Sequence, residues 1–119
     1  MDTPKIFESE YRFCLILWET EPINSTELVC LCNQRLGWSK ATTYTVIRRL
    51  AERGVLVNKN TIVRSLISKE QIQQAELDEM MEKRFARSIP AFLSAFSQCK
   101  GLRQDELEKI RAIIENHEE

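Results

Sequence analysis

The segment from Ser39 to Gly54 constrains the fold of this chain more than any other. It opens on a serine suited to cap a helix, continues Lys-Ala-Thr-Thr-Tyr-Thr-Val-Ile-Arg-Arg-Leu-Ala-Glu-Arg with no internal proline or glycine, and stops at a glycine. Two β-branched runs follow at once, Val55-Leu-Val57 and Thr61-Ile-Val-Arg-Ser-Leu-Ile67, around Asn58-Lys-Asn60. Such runs about a short Asn-rich turn predict a β-hairpin with Lys59 at its tip and Arg64 on the return strand. The fold must therefore pass from a helix directly into a hairpin.

The predicted helix has two faces of different chemistry. Thr43, Val46, Ile47 and Leu50 recur at i, i+3, i+4 and i+7, a stripe that should pack on other helices. Ala41, Tyr44, Thr45 and Arg48 repeat that spacing roughly 160° away. With Ser39, Lys40 and Thr42 at the N-terminal end, this second face is small, hydroxylated and basic, as a helix entering a major groove requires. Taken singly, Lys40, Tyr44, Thr45 and Arg48 read as a solvated surface; their common face is what points to a ligand. Arg49 suits either Glu52 or a phosphate.

Upstream, a first helix is expected from Ser9, as N-cap, through Phe13, Leu15, Ile16 and Trp18 to Thr20, ended by Pro22. A second starts near Asn24 or Ser25 and carries Leu28, Val29, Leu31, Cys32 and Leu36 toward Gly37. Two helices, a recognition helix and a hairpin make a winged helix-turn-helix domain over residues 1–68, with Lys59 and Arg64 of the wing facing backbone phosphates. Trp18 and Trp38 lie off the basic face and read as core anchors.

Residues 69–119 turn helical again and form the second domain of a mainly α chain. Ser88 and Pro90 start one helix that Gly101 closes, and another begins near Arg103. Leu77, Met80, Met81, Phe85, Phe92, Leu93, Phe96, Leu107, Ile110 and Ile114 are too many large apolar side chains for three short helices to bury alone, so a second copy is the expected partner and the segment a dimerisation arm. The cluster of Met80, Met81 and Phe85 also permits a small ligand.

The net charge of −1 hides a division. From Arg35 to Ile67 there are seven basic residues against one acidic, whereas from Ser68 to Glu119 there are eight against eleven. Only the first part suits a polyanion. No apolar run approaches the roughly 18 residues of a membrane span and no signal segment stands at the N-terminus, so a cytoplasmic location without membrane association is expected. Cys14 sits in an apolar run, and Cys30 and Cys32, two apart on a helix, point about 200° from each other, so neither a disulfide framework nor a metal site is expected. With His117 as its one histidine the chain assembles no catalytic set, and no cofactor motif is present. The competing classes are a helical protein-interaction adaptor and a one-component sensor of a small ligand.

Ile6-Phe-Glu-Ser-Glu-Tyr11, Ile16-Leu-Trp18, Gly37-Trp-Ser39, Thr42, Thr45, Arg49-Leu50, Gly54 and Leu102-Arg-Gln-Asp-Glu-Leu107 resemble the penicillinase and methicillin-resistance repressors of the BlaI/MecI/CopY type over almost the whole length. The resemblance implies a sequence-specific transcriptional repressor that binds palindromic double-stranded operator DNA as a homodimer. It further implies derepression by a regulatory metalloprotease that cuts the arm, with Ala95-Phe96 at the matching place, although helix packing explains that pair equally well. Lys40, Ala41 and Tyr44 depart from the resistance-repressor pattern, the wing is shorter, and the tail lacks the paired CxC motifs of copper-responsive members.

Overall fold

In the computed structural model, which describes residues 3–99 and 102–117, the first helix, α1 (Glu8–Thr20), begins one residue before the expected Ser9 cap. Phe7 is the N-cap, and its backbone N–H donates to the Glu10 carboxylate at 2.8 Å, so an acid inside the first turn ties down the N-cap residue in place of a capping serine hydroxyl on the helix N–H groups. The second helix, α2 (Ser25–Leu36), is capped by the Asn24 side chain, which accepts from the Thr26 N–H at 2.8 Å. It ends at Gly37 with φ of +72°. The third, α3 (Lys40–Glu52), is capped by Ser39 and followed by Gly54 at φ +79°, as expected.

The hairpin is present, but its turn is displaced. Strands β2 (Leu56–Lys59) and β3 (Ile62–Ser65) are antiparallel, and the two linking residues, Asn60 and Thr61, both have positive φ. A two-residue turn of this kind matches the twist of the flanking strands. Lys59 is consequently the last residue of β2, paired with Ile62, and not the tip. A further strand that periodicity did not reveal, β1 (Ile23–Asn24), adds to the far side of β3 and gives the order β1-β3-β2. The Ser25 N–H also donates to the Thr61 carbonyl at 2.8 Å, which ties the wing to the start of α2.

Two compact units result, the second beginning at Asp78 and not after residue 68. The reason is Ile72, on α4 (Lys69–Arg84): it is 2% exposed and belongs to the core built by Phe13, Leu17, Leu28, Leu50, Val55, Leu56 and Val63. Thr43, Val46, Ile47 and Leu50 all face this core, and Trp18 and Trp38 pack against it half-buried, with Trp38 stacked on Phe13 at 6.1 Å. Close packing of that kind makes α3 a fixed platform.

The second unit holds the end of α4, α5 (Ile89–Phe96) and α6 (Gln104–Glu115). The Ser88 hydroxyl accepts from the Ala91 N–H at 3.1 Å and Pro90 lies in the first turn of α5, as expected. The helix ends at Phe96; Gly101 lies outside the described residues. Phe92 meets Phe85 edge to face at 5.5 Å and stacks on Phe96 at 6.0 Å. Among the described residues of this unit only Met81 is buried; Leu77, at the end of the first unit, and Met80, Leu93, Phe96, Leu107 and Ile114 are exposed, and Ile110 is partly so.

Gly54 offers a direct check on the helix stop. Nothing lies within 4 Å of the Cβ that an alanine would add, so Gly54→Ala meets only the backbone penalty of a left-handed conformation. Urea unfolding should show a loss of about 1–2 kcal/mol with an unchanged slope.

Candidate nucleic-acid interface

At the start of α3 the Ser39 hydroxyl accepts from the Thr42 N–H at 3.1 Å and donates to Thr42 Oγ1 at 3.0 Å. Thr43 turns the other way, donating to the Ser39 carbonyl at 3.1 Å. Ser39 is thus committed to holding the helix end. Lys40, Ala41, Thr42, Arg48 and Arg49 are exposed, and Thr45 is half-buried at the edge of the same face.

Two members of the face stand differently from their expected places. Tyr44 packs half-buried against the core, its hydroxyl 3.4 Å from Ser25 Oγ, because α2 starts directly after β1 and its first residue, Ser25, lies against the middle of α3. Arg48, and not Arg49, is the partner of Glu52: Nη1 lies 3.9 Å from Oε1, four residues along the helix. Both side chains are about two-thirds exposed, 65% and 64%, so the pair contributes roughly 0–1 kcal/mol and a phosphate readily replaces the carboxylate. The basic face is therefore flanked by an acid at its C-terminal end.

Beside α3, the wing presents Lys59 and Arg64, both exposed. Val63 points into the core, and strand alternation then sends Arg64 outward. The sheet and α3 are locked by two bonds to Val55, whose N–H donates to the Leu50 carbonyl at 2.9 Å while its own carbonyl accepts from the Leu66 N–H at 2.8 Å.

A support that sequence reasoning missed lies beneath the far end of α3. Arg53, its C-terminal cap residue, donates from Nη1 to Glu10 Oε2 at 3.0 Å and from Nη2 to Oε1 at 2.5 Å, a bidentate pair between residues 43 apart in sequence. The Glu10 side chain is 8% exposed and that of Arg53 32%. Burial alone would raise the Glu10 pKa, but the Arg53 hydrogen bonds, the Phe7 N–H and the charges of Arg53 and Arg49 outweigh it and hold the carboxyl below its ordinary 4.5. A depressed carboxyl stabilises the fold above its unfolded pKa, and that contribution disappears as pH falls through the folded value. Glu10→Gln should cost about 2–3 kcal/mol at pH 7, less than a fully buried pair because Arg53 keeps contact with water. The difference from wild type should shrink below about pH 4.5 in denaturant melts taken across pH.

The cysteines divide by environment. Cys14 and Cys32 are buried, their thiols pushed up to about 12 and about 11, chiefly by desolvation, while Cys30 and Cys99 are exposed. Among the described residues no group of His, Cys, Asp and Glu side chains could hold a metal ion, and no helix is long and apolar enough to cross a membrane.

A tight helix-turn-helix with a short three-stranded wing and an exposed cationic face on the second helix of the motif defines a winged-helix DNA-binding protein. The model of the penicillinase repressor family matches residues 6–116, and the chain belongs to that family. It is accordingly a DNA-binding transcriptional repressor and not an enzyme. The methicillin resistance regulatory protein MecI of Staphylococcus aureus is 25% identical over 116 residues, covering 94% of each chain. The monomeric form of Bacillus licheniformis BlaI, solved in complex with the blaP half-operator, is similar in fold with a TM-score of 0.52 and 22% identity, covering 60% of this chain and 93% of that one. The DNA-binding domain of the repressor BlaI gives a TM-score of 0.51 at the same identity and coverage.

Proposed function

We propose that two copies of this chain, joined through the second unit, bind a palindromic operator with one α3 in the major groove of each half-site. Lys40, Ala41, Thr42, Thr45, Arg48 and Arg49 face the groove, Tyr44 lines its edge from a half-buried position, and Ser39 orients the helix end. Lys59 and Arg64 neutralise the flanking backbone. The observation that carries this reading is the exposed small, hydroxylated and cationic side of α3 on a platform that is otherwise packed inward. Support also comes from BlaI, which is similar in fold and was solved on a half-operator. A repressor works where the chromosome is, which makes the cytoplasm its compartment.

The dimer surface is Leu77, Met80, Phe85, Phe92, Leu93, Phe96, Leu107, Ile110 and Ile114, all exposed or half-buried in a single chain, with Met81, already buried within one chain, beneath it. Derepression follows from cleavage between Ala95 and Phe96 by a regulatory metalloprotease. Both residues are exposed in the last turn of α5, where a helix frays and admits a protease. Cutting there severs α6 from the rest of the arm.

Footprinting on genomic fragments retained by the full-length chain tests the proposal. The expected pattern is two protected half-sites centred one or two helical turns apart, with affinity falling about 10³-fold or more between 50 and 200 mM salt for six or more phosphate contacts. A single unpaired site or a flat salt response would contradict it.

A further inference from the structure

Away from the α3 face, the end of α1, strand β3 and the first turn of α4 line an open groove of about 610 Å³. Sites for drug-sized ligands run about 300–1,000 Å³. Its apolar wall is Leu15, 37% exposed, and the half-buried ring of Trp18. The indole is held in place: its N–H donates to the Ile67 carbonyl at 2.9 Å, and Tyr11 meets it edge-on at 5.7 Å. Three carboxylates, Glu19, Glu21 and Glu70, surround this wall against one ammonium, Lys69. Glu21 is fixed by the N–H and hydroxyl of Ser65 at 2.6 and 2.8 Å, and Glu19 lies 3.4 Å from Arg35. Glu70 makes no ion pair among the described residues.

The geometry points to a binding site for an organic cation with an apolar body, seated on Trp18 between Glu19 and Glu70. A phosphate or other anion meets like charge there. A neutral apolar molecule, or the apolar helix of a second copy, would strip water from carboxylates without replacing it. A cation with an apolar body satisfies both parts, its charge shared between the indole face and the acids. The site is independent of the DNA-binding reading, because none of these residues lies on α3, and its test needs no DNA.

Tetraphenylphosphonium and its anionic counterpart of the same shape, tetraphenylborate, separate charge from apolar contact. In a full-length Trp38→Phe chain, where Trp18 is the one remaining indole, the phosphonium should quench emission saturably and the borate should bind at least about tenfold more weakly. Calorimetry with the same two ions on the unsubstituted chain makes the result independent of that substitution. Glu19→Gln combined with Glu70→Gln should lower phosphonium affinity about tenfold while far-UV dichroism and the melting temperature stay put. Equal binding of the two ions, no saturable response, or undiminished affinity in the double variant overturns the proposal. An emission change that follows protein concentration and not the cation would seat a second copy in the groove and overturn it as well.

Discussion

Replacing Lys40 and Arg48 together with alanine should remove operator binding, with affinity falling at least about 100-fold in gel shift at physiological salt while the chain sediments as wild type does. Neither side chain is part of the core. Arg48 gives up only a long, exposed contact to Glu52. Stability should therefore change by less than about 0.5 kcal/mol, as for other surface substitutions. The loss in binding comes from two places: a bidentate pairing to a base edge is worth about 1–3 kcal/mol, and each lost phosphate contact also flattens the salt dependence. Unchanged binding would mean that another face of the domain meets DNA.

The second large effect concerns the arm. Leu107 and Ile114 are 42% and 55% exposed on α6, so Leu107→Glu combined with Ile114→Glu leaves the folding of a single chain almost untouched. In the proposed dimer the same change buries two charges in an apolar interface. Analytical ultracentrifugation should then show a monomer, and apparent operator affinity should fall about 10²–10⁴-fold, because the second half-site is no longer engaged within one molecule. A single half-site should still be bound weakly. Cleavage at Ala95-Phe96 should give the same phenotype, which links the proposed inducing step to a loss of avidity with the DNA-facing helix unaltered.

What the amino-acid pattern revealed, and what it hid, follows from the range of each interaction. The stripe Thr43, Val46, Ile47 and Leu50 and the stops at Gly37 and Gly54 are local properties, and the structure places them as read. The turn lies a residue or two beyond its expected place because Asn58, Asn60 and Thr61 each suit a turn on composition, whereas the pairing of Lys59 with Ile62 depends on the register of both strands. Strand β1 has two residues, too few for an alternating pattern, and exists because β3 offers it an edge. The bridges from Arg53 to Glu10 and from Ser65 to Glu21 join residues more than forty apart, so no spacing rule could have found them. Tyr44 is the instructive case within the site. A helical wheel puts it at the centre of the exposed face, but α2 approaches closely enough to cover half of it.

Whether the cationic side of α3 enters a major groove is read directly by dimethyl sulfate, since it methylates guanine N7 there and adenine N3 in the minor groove. With the full-length chain bound to its selected DNA, guanine N7 in both half-sites should be protected, and protection should vanish with the Lys40 and Arg48 substitutions. Protection confined to adenine N3, or guanine protection that survives those substitutions, would contradict the placement of α3.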